Sequence, residues 1–170
     1  GTLCVAERQD VVYRDATSTS GPAPAMPAET TCDYQATWQF DAVSLFRYSA
    51  LTFNGHRIHY DVDYVRDVED YPNVIVHGPL LATLLLDVAA TNGYSVTAME
   101  YRAKSPVFLP SGVTVRAQRE GDQLSVWACD DAGGQVGARW LHGFNGCLQS
   151  GVQSDPLQEA ALRCGKRFRA

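Results

Sequence analysis

The sequence predicts an α+β fold in which an antiparallel sheet wraps one central apolar helix. Three observations carry that expectation. Residues 79–92 place Leu80, Leu81, Leu84, Leu85, Val88 and Ala89 at helical spacing, with Ala82 and Leu86 filling the flanks. Strand-like runs follow at 95–104, 112–119, 123–129 and 135–143, and "EGDQ" and "DDAGGQ" supply turn chemistry between the later ones. Strands and helices do not alternate in βαβ fashion, and no internal repeat is visible.

Taken in chain order, residues 3–14 have strand character, with Val5, Val11, Val12 and Tyr13. Residues 16–31, "ATSTSGPAPAMPAETT", are rich in Ala, Pro, Ser and Thr and hold no core pattern, so they read as a linker or meandering loop. A short strand is expected near Tyr34–Phe40. Asp41 then suits the cap of a helix whose mixed apolar face is Val43, Phe46, Tyr48, Ala50 and Leu51. "DVDYVRDVEDY", residues 61–71, reads as a short helix capped by Asp61. Pro79 suits the first position of the apolar helix, where a missing N–H costs nothing, and Gly93 after Asn92 suits its exit. A helix apolar over most of its circumference belongs inside a core. One domain over 32–143 results. Residues 144–170 lose the pattern and form an extension for which either a capped amphipathic turn or a tail fits.

Composition removes several function classes. A chain of 170 residues with 45% apolar and 19% charged residues can bury a core, so global disorder is not expected. Net charge is −5 and no Lys/Arg block precedes the last few residues, which argues against a nucleic-acid surface. No apolar run nears the roughly 20 residues that span a bilayer, and no cationic-then-apolar start suggests secretion. Cys4, Cys32, Cys129, Cys147 and Cys164 are odd in number, form no CxxC and match no zinc spacing. Reduced thiols in a cytoplasmic compartment are expected.

Two stretches concentrate the chemistry. "TFNGHRIHYD", residues 52–61, holds Asn54, His56, Arg57, His59 and Tyr60. His59 can exchange a proton near neutral pH, or it is a core imidazole. Asn54 does not titrate. It can hold a water with its carbonyl oxygen, donate from its amide, or cap the turn that starts at Gly55. Residues five apart lie about 140° apart on an ideal helix. Asn54 and His59 therefore converge only if Asn54 precedes the helix proper, a bend that Gly55 permits. His56 and His59 have HxxH spacing, but no HExxH and no third ligand accompany them, so no metal is expected and His56 is assigned a supporting hydrogen bond. In "VIVHGPLLATLLLD", residues 74–87, Gly78 opens the apolar helix. Pro79 has no N–H, so the Gly78 N–H is the donor a ligand would meet there; an ordinary loop-to-helix junction is the alternative. Arg47 and Arg57 suit carboxylate or phosphate contacts, or surface pairing with Asp61 or Asp63. Ser49 and Thr52 have no nucleophile-elbow or triad context, so a serine hydrolase is not expected.

"LFRYSALTFNGHRIHYD" followed by "YPNVIVHGPLLATLLLD" resembles the MaoC-like hydratases and dehydratases of the hotdog fold. Within them it resembles the branch of mesaconyl-CoA hydratase and type 2 hydroxyacyl-thioester dehydratase. The resemblance covers roughly residues 38–130, including "SPVFLPSGVTVRAQREGDQLSVWACDDAGG". Many members carry Asp five residues before the catalytic His; here that place is Asn54, as the mesaconyl-type branch has it. That branch usually has two hotdog repeats. "GTLCVAERQDVVYRD", residues 1–15, resembles only the closing strand of a first repeat, so either the sequence is cut or another chain supplies that half.

The resemblance implies a hydro-lyase acting on a short 2-enoyl or 3-hydroxyacyl thioester. His59 would move the proton, Asn54 place the water, and the Gly78 N–H polarise the thioester carbonyl. Arg47, Tyr48, Phe53, Gly55, Arg57, Tyr60, His77 and Pro79 would contact substrate, although core packing explains Tyr48, Phe53 and Tyr60 equally well. No metal or redox cofactor is implied; coenzyme A or phosphopantetheine would enter only as part of the substrate. A homodimer, or pairing with a second hotdog unit, is implied too. A hotdog thioesterase and a non-catalytic acyl-thioester or small-ligand binding module are the rival readings.

Overall fold

The computed structural model describes residues 4–10, 26–121 and 123–142. In chain order its elements are β1 (Tyr34–Trp38), α1 (Ala42–Leu51), a one-turn 3-10 helix (Arg57–His59), α2 (Val62–Asp67), α3 (Gly78–Thr91), β2 (Ala98–Ala103), β3 (Val113–Glu120), β4 (Gln123–Cys129) and β5 (Gln135–His142). The strands form one five-stranded sheet of order β1-β3-β4-β5-β2. Every pairing is antiparallel.

The expected helix is one residue displaced and otherwise as read. Leu81, Leu84, Leu85, Val88 and Ala89 are its buried positions. They meet the inward residues of the sheet, Val113, Val115 and Ala117 of β3 and Leu124, Val126 and Ala128 of β4, all wholly buried. The two-residue alternation along β3 makes this possible, because it sends every second side chain to one face. At about 25 cal/mol per Å² of apolar surface removed from water, burying these side chains stabilises the domain. Gly93 leaves the helix at φ +83, a conformation that suits glycine. Gly133 turns β4 into β5 at φ +80, its N–H donating to the Asp130 carbonyl at 3.0 Å.

Three local expectations are corrected. The apolar face expected on α1 does not face the core. Val43, Phe46 and Leu51 are 54%, 58% and 80% exposed, and the buried pair is Leu45 and Ser49, one turn apart. Helical spacing identifies a stripe but not what covers it, and α1 buries only a narrow one. The strand expected over 3–14 is not formed at 4–10, where Val5 is 80% exposed; strand propensity alone does not make a ladder. Residues 11–14 lie outside the described residues. Within the expected linker, residues 26–29 are pinned rather than meandering. Gln135 N donates to Met26 O at 2.7 Å, Ala28 N to Gly133 O at 3.1 Å, and Trp127 Nε1 to Glu29 O at 3.0 Å.

Cys32 and Cys129 are free thiols, and Cys147 and Cys164 fall outside the described residues, as does the 144–170 extension. Among the described residues no helix is long and apolar enough to cross a membrane.

Candidate active site

The site grows from the end of α1. Asp41 caps that helix by accepting from Ser44 N at 2.7 Å, in a reciprocal capping box. At the other end Thr52 spends its hydroxyl on Tyr48 O at 2.8 Å, and Phe53 turns the chain at φ +54. Asn54 N then donates back to Ser49 O at 2.8 Å. Asn54 precedes the 3-10 turn, the arrangement under which it and His59 can converge. Its Oδ1 accepts from His56 N at 3.0 Å, the capping role foreseen as one alternative, and Tyr60 Oη closes the loop by donating to Gly55 O at 2.8 Å.

The loop is fastened to the segment that enters α3. Ile75 N donates to Ile58 O at 2.9 Å, and His59 Nδ1 lies 2.7 Å from Ile75 O. A carbonyl oxygen only accepts, so Nδ1 carries the proton and the lone pair of neutral His59 sits on Nε2. Nε2 has no hydrogen-bond partner among the described residues. His59 is buried, 7% exposed, and burial pushes its proton affinity below the ordinary histidine value; His56 adds to that and the bond to Ile75 opposes it. The His56 ring lies edge-on to His59 at 5.8 Å.

The second motif meets the first at His77. Its ring stacks on His59 with centroids 3.7 Å apart and planes 17° from parallel. It is wholly buried, with Nε2 2.8 Å from Ser49 Oγ and the Tyr48 ring edge-on at 4.7 Å. Burial, with His59 beside it, pushes His77 down to about 4, and burial raises the Tyr48 hydroxyl. The next residue, Gly78, opens α3. Leu81 N turns back to His77 O at 3.1 Å and Pro79 has no N–H, while the Gly78 N–H has no acceptor among the described residues. A Cβ built on Gly78 meets nothing within 4 Å. His77 thus links the two motifs: its ring stacks on His59, and the residue after it opens α3.

A cavity of about 290 Å³ adjoins this cluster, lined by Phe46, Ser49, Ala50, Phe53, Asn54, Gly55 and Tyr60. Four residues expected to touch substrate or water, Phe53, Asn54, Gly55 and Tyr60, share it. His59, His77 and Gly78 do not line it; Ser49 joins the two groups, facing the cavity and bonding His77. Phe46 and Tyr60 meet edge to face at 6.3 Å. The cations lie elsewhere. Arg57 donates to Asp61 Oδ2 from Nε at 2.9 Å and Nη2 at 2.7 Å, and lies over the Tyr64 ring at 4.1 Å. Arg47 is on the exposed side of α1 and Pro79 is exposed at the start of α3.

Ser49 is the functional-site residue that sequence reasoning passed over, having weighed it only as a nucleophile. A signal was present: it follows Leu45 by one helical turn, and a polar residue on a core stripe needs a partner. Phe46 and Ala50 were assigned to a packing face and instead line the cavity.

The buried imidazoles make stability depend on pH. The unfolded chain protonates His77 near the ordinary 6.5, whereas the folded protein resists until about 4. Between those values the unfolded state binds more protons, so stability falls as pH falls, by up to about 3 kcal/mol from His77 alone. His59 acts in the same direction. Urea midpoints at pH 7, 6, 5 and 4 should fall less steeply in His77→Gln than in the parent chain.

The family model described as hydroxyacyl-thioester dehydratase type 2 matches residues 1–109 of this chain. The chain is 38% identical over 136 residues to the mesaconyl-C(4)-CoA hydratase of Chloroflexus aurantiacus, covering 74% of this chain and 46% of that protein. It thus spans less than half the length of that relative. Among solved structures, an R-hydratase from Pseudomonas aeruginosa superposes at a TM-score of 0.59 with 17% identity, covering 80% of this chain and 97% of that one. A MaoC-like dehydratase from Phytophthora capsici gives 0.60 with 15% identity, covering 76% and 46%. At such identities these two likenesses speak for the fold, which is the hotdog fold expected from the sequence.

Proposed function

The chain belongs to the hydroxyacyl-thioester dehydratase type 2 family, and from that membership we propose that it adds water to, or removes it from, a short 2-enoyl or 3-hydroxyacyl thioester. The observation that carries the proposal is a neutral His59 whose Nδ1 is committed to Ile75 O, stacked on the residue that precedes the open Gly78 N–H. In the hydration direction His59 Nε2 takes a proton from water and the hydroxyl adds to C3. The displaced electron pair collects on the thioester oxygen, where the Gly78 N–H stabilises it, and the proton is returned to C2. Asn54, whose side-chain NH2 has no acceptor among the described residues, holds the water. The apolar cavity beside Ser49 receives the acyl chain.

The reaction as written uses no metal or redox cofactor, and coenzyme A or a phosphopantetheine carrier arrives with the substrate. We assign pairing with a second hotdog unit, either a copy of this chain or a partner. One observation supports this: Leu51 and Phe53 are 80% and 96% exposed beside the site. A cytoplasmic setting fits the free thiols.

The test is a panel of 2-enoyl thioesters given to the chain alone and with any co-purifying partner. Loss of the conjugated enoyl absorbance with gain of one water in mass is expected. Release of free thiol with the acyl unsaturation intact would make it a thioesterase, and binding without turnover in both settings a binding module. A fully active monomer would refute the pairing.

A further inference from the structure

His77 is too deeply buried to touch a substrate, yet its side chain and its backbone serve different halves of the site. The ring lies under His59 at 3.7 Å, and the peptide that follows it carries the Gly78 N–H. We infer that His77, anchored by Ser49, is a positioning residue that sets the His59 ring relative to the Gly78 donor. The inference rests on reading His59 as the base.

Three contacts fix the His77 ring: the 2.8 Å bond from Nε2 to Ser49 Oγ, the stack on His59 and the edge of Tyr48. Its other nitrogen, Nδ1, is buried with no hydrogen-bond partner among the described residues. An apolar ring of similar shape would bury no orphan nitrogen, which carries a desolvation cost of its own. Space filling is therefore not what the imidazole adds here; the anchor to Ser49 is. Because Ser49 also faces the cavity, one chain of contacts runs from the cavity wall through His77 to the base.

The groups facing His59 explain why such a support matters. From its own turn comes His56, edge-on at 5.8 Å, while Arg57 of the same turn pairs with Asp61 instead. From the α3 entry come His77 and the Ile75 carbonyl; from α1, Tyr48 and Ser49 reach it only through His77. No carboxylate among the described residues is hydrogen-bonded to His59. The ring is thus oriented by one carbonyl and one stacked ring. The side-chain bond and the Ile75 hydrogen bond set one edge of the ring, and the stack constrains its face.

The experiment measures kcat and KM against pH, together with NMR titration and tautomer state of the His59 ring, in the parent chain, Ser49→Ala and His77→Asn. In His77→Asn, kcat should fall about tenfold or more with KM within about twofold. Water entering beside His59 should move the acid limb of the rate profile, and the His59 titration with it, up towards the ordinary histidine value. Ser49→Ala keeps both rings and should show the same changes to a smaller degree. It decides the matter if His77→Asn does not fold. An unchanged acid limb and unchanged His59 titration in the folded variants, or a loss confined to KM, would overturn the inference. Should His59→Ala stay active, the reading of His59 as base fails separately, while the ring titration still reports whether His77 controls it.

Discussion

Replacing His59 with alanine should lower turnover at least a hundredfold, the scale of a lost general base. The ring supplies a protonatable nitrogen, Nε2, held by a 2.7 Å bond from Nδ1 to Ile75 O. Alanine also empties a buried site, so the comparison needs a second variant. His59→Gln can keep a donor for Ile75 O and fill much of the space, but its amide cannot exchange a proton near neutral pH. Both variants should lose turnover equally if proton transfer is the lost function, with the circular dichroism of His59→Gln like that of the parent. The pH profile gives an independent check. Burial holds His59 below the ordinary histidine value, so its basic form persists to lower pH than an exposed histidine would allow. The parent's acid limb should therefore lie below 6.5, and residual activity in His59→Gln should show no such limb. Near-parental turnover in His59→Gln would remove His59 from the chemistry.

What could be read from the sequence was what short-range patterns encode. The α3 period, the turn chemistry between the late strands and the caps Asp41 and Asp61 are local signals, and each element formed where its signal lay. The face of α1 was misread because Phe46 and Ala50, apolar and helically spaced, look the same whether they meet a core or a cavity. Residues 4–10 show the converse: strand propensity is present, yet no strand forms there. The stack of His59 on His77 joins residues 18 apart through tertiary packing that no spacing rule describes. The Ser49 anchor lies 28 residues away again. Recognising the two motifs together named His59, Asn54 and Gly78 and offered the histidine before Gly78 as a substrate contact; its stack on His59 needed coordinates.

Gly78→Ala should separate fold from function most cleanly, with turnover reduced about 10²–10³-fold, the range for loss of one oxyanion donor, and stability unchanged. Nothing in the fold requires glycine there. The residue has no positive φ, and an added Cβ has no neighbour within 4 Å. Gly137 makes the contrast, since a Cβ at that position would come within 3.0 Å of the Tyr101 ring. Alanine is moreover the better helix former, so the first turn of α3 should hold at least as well. The N–H survives the substitution; what changes is the empty space over it, which a methyl group would fill. If a thioester oxygen must reach that N–H while negative charge gathers on it, the methyl holds it off at the point where the bond matters most. Urea midpoints equal to the parent's, with turnover collapsed, would place the carbonyl at the head of α3. Turnover that survives the substitution would mean that no substrate oxygen approaches Gly78, and that stabilisation of the enolate-like oxygen must come from another donor.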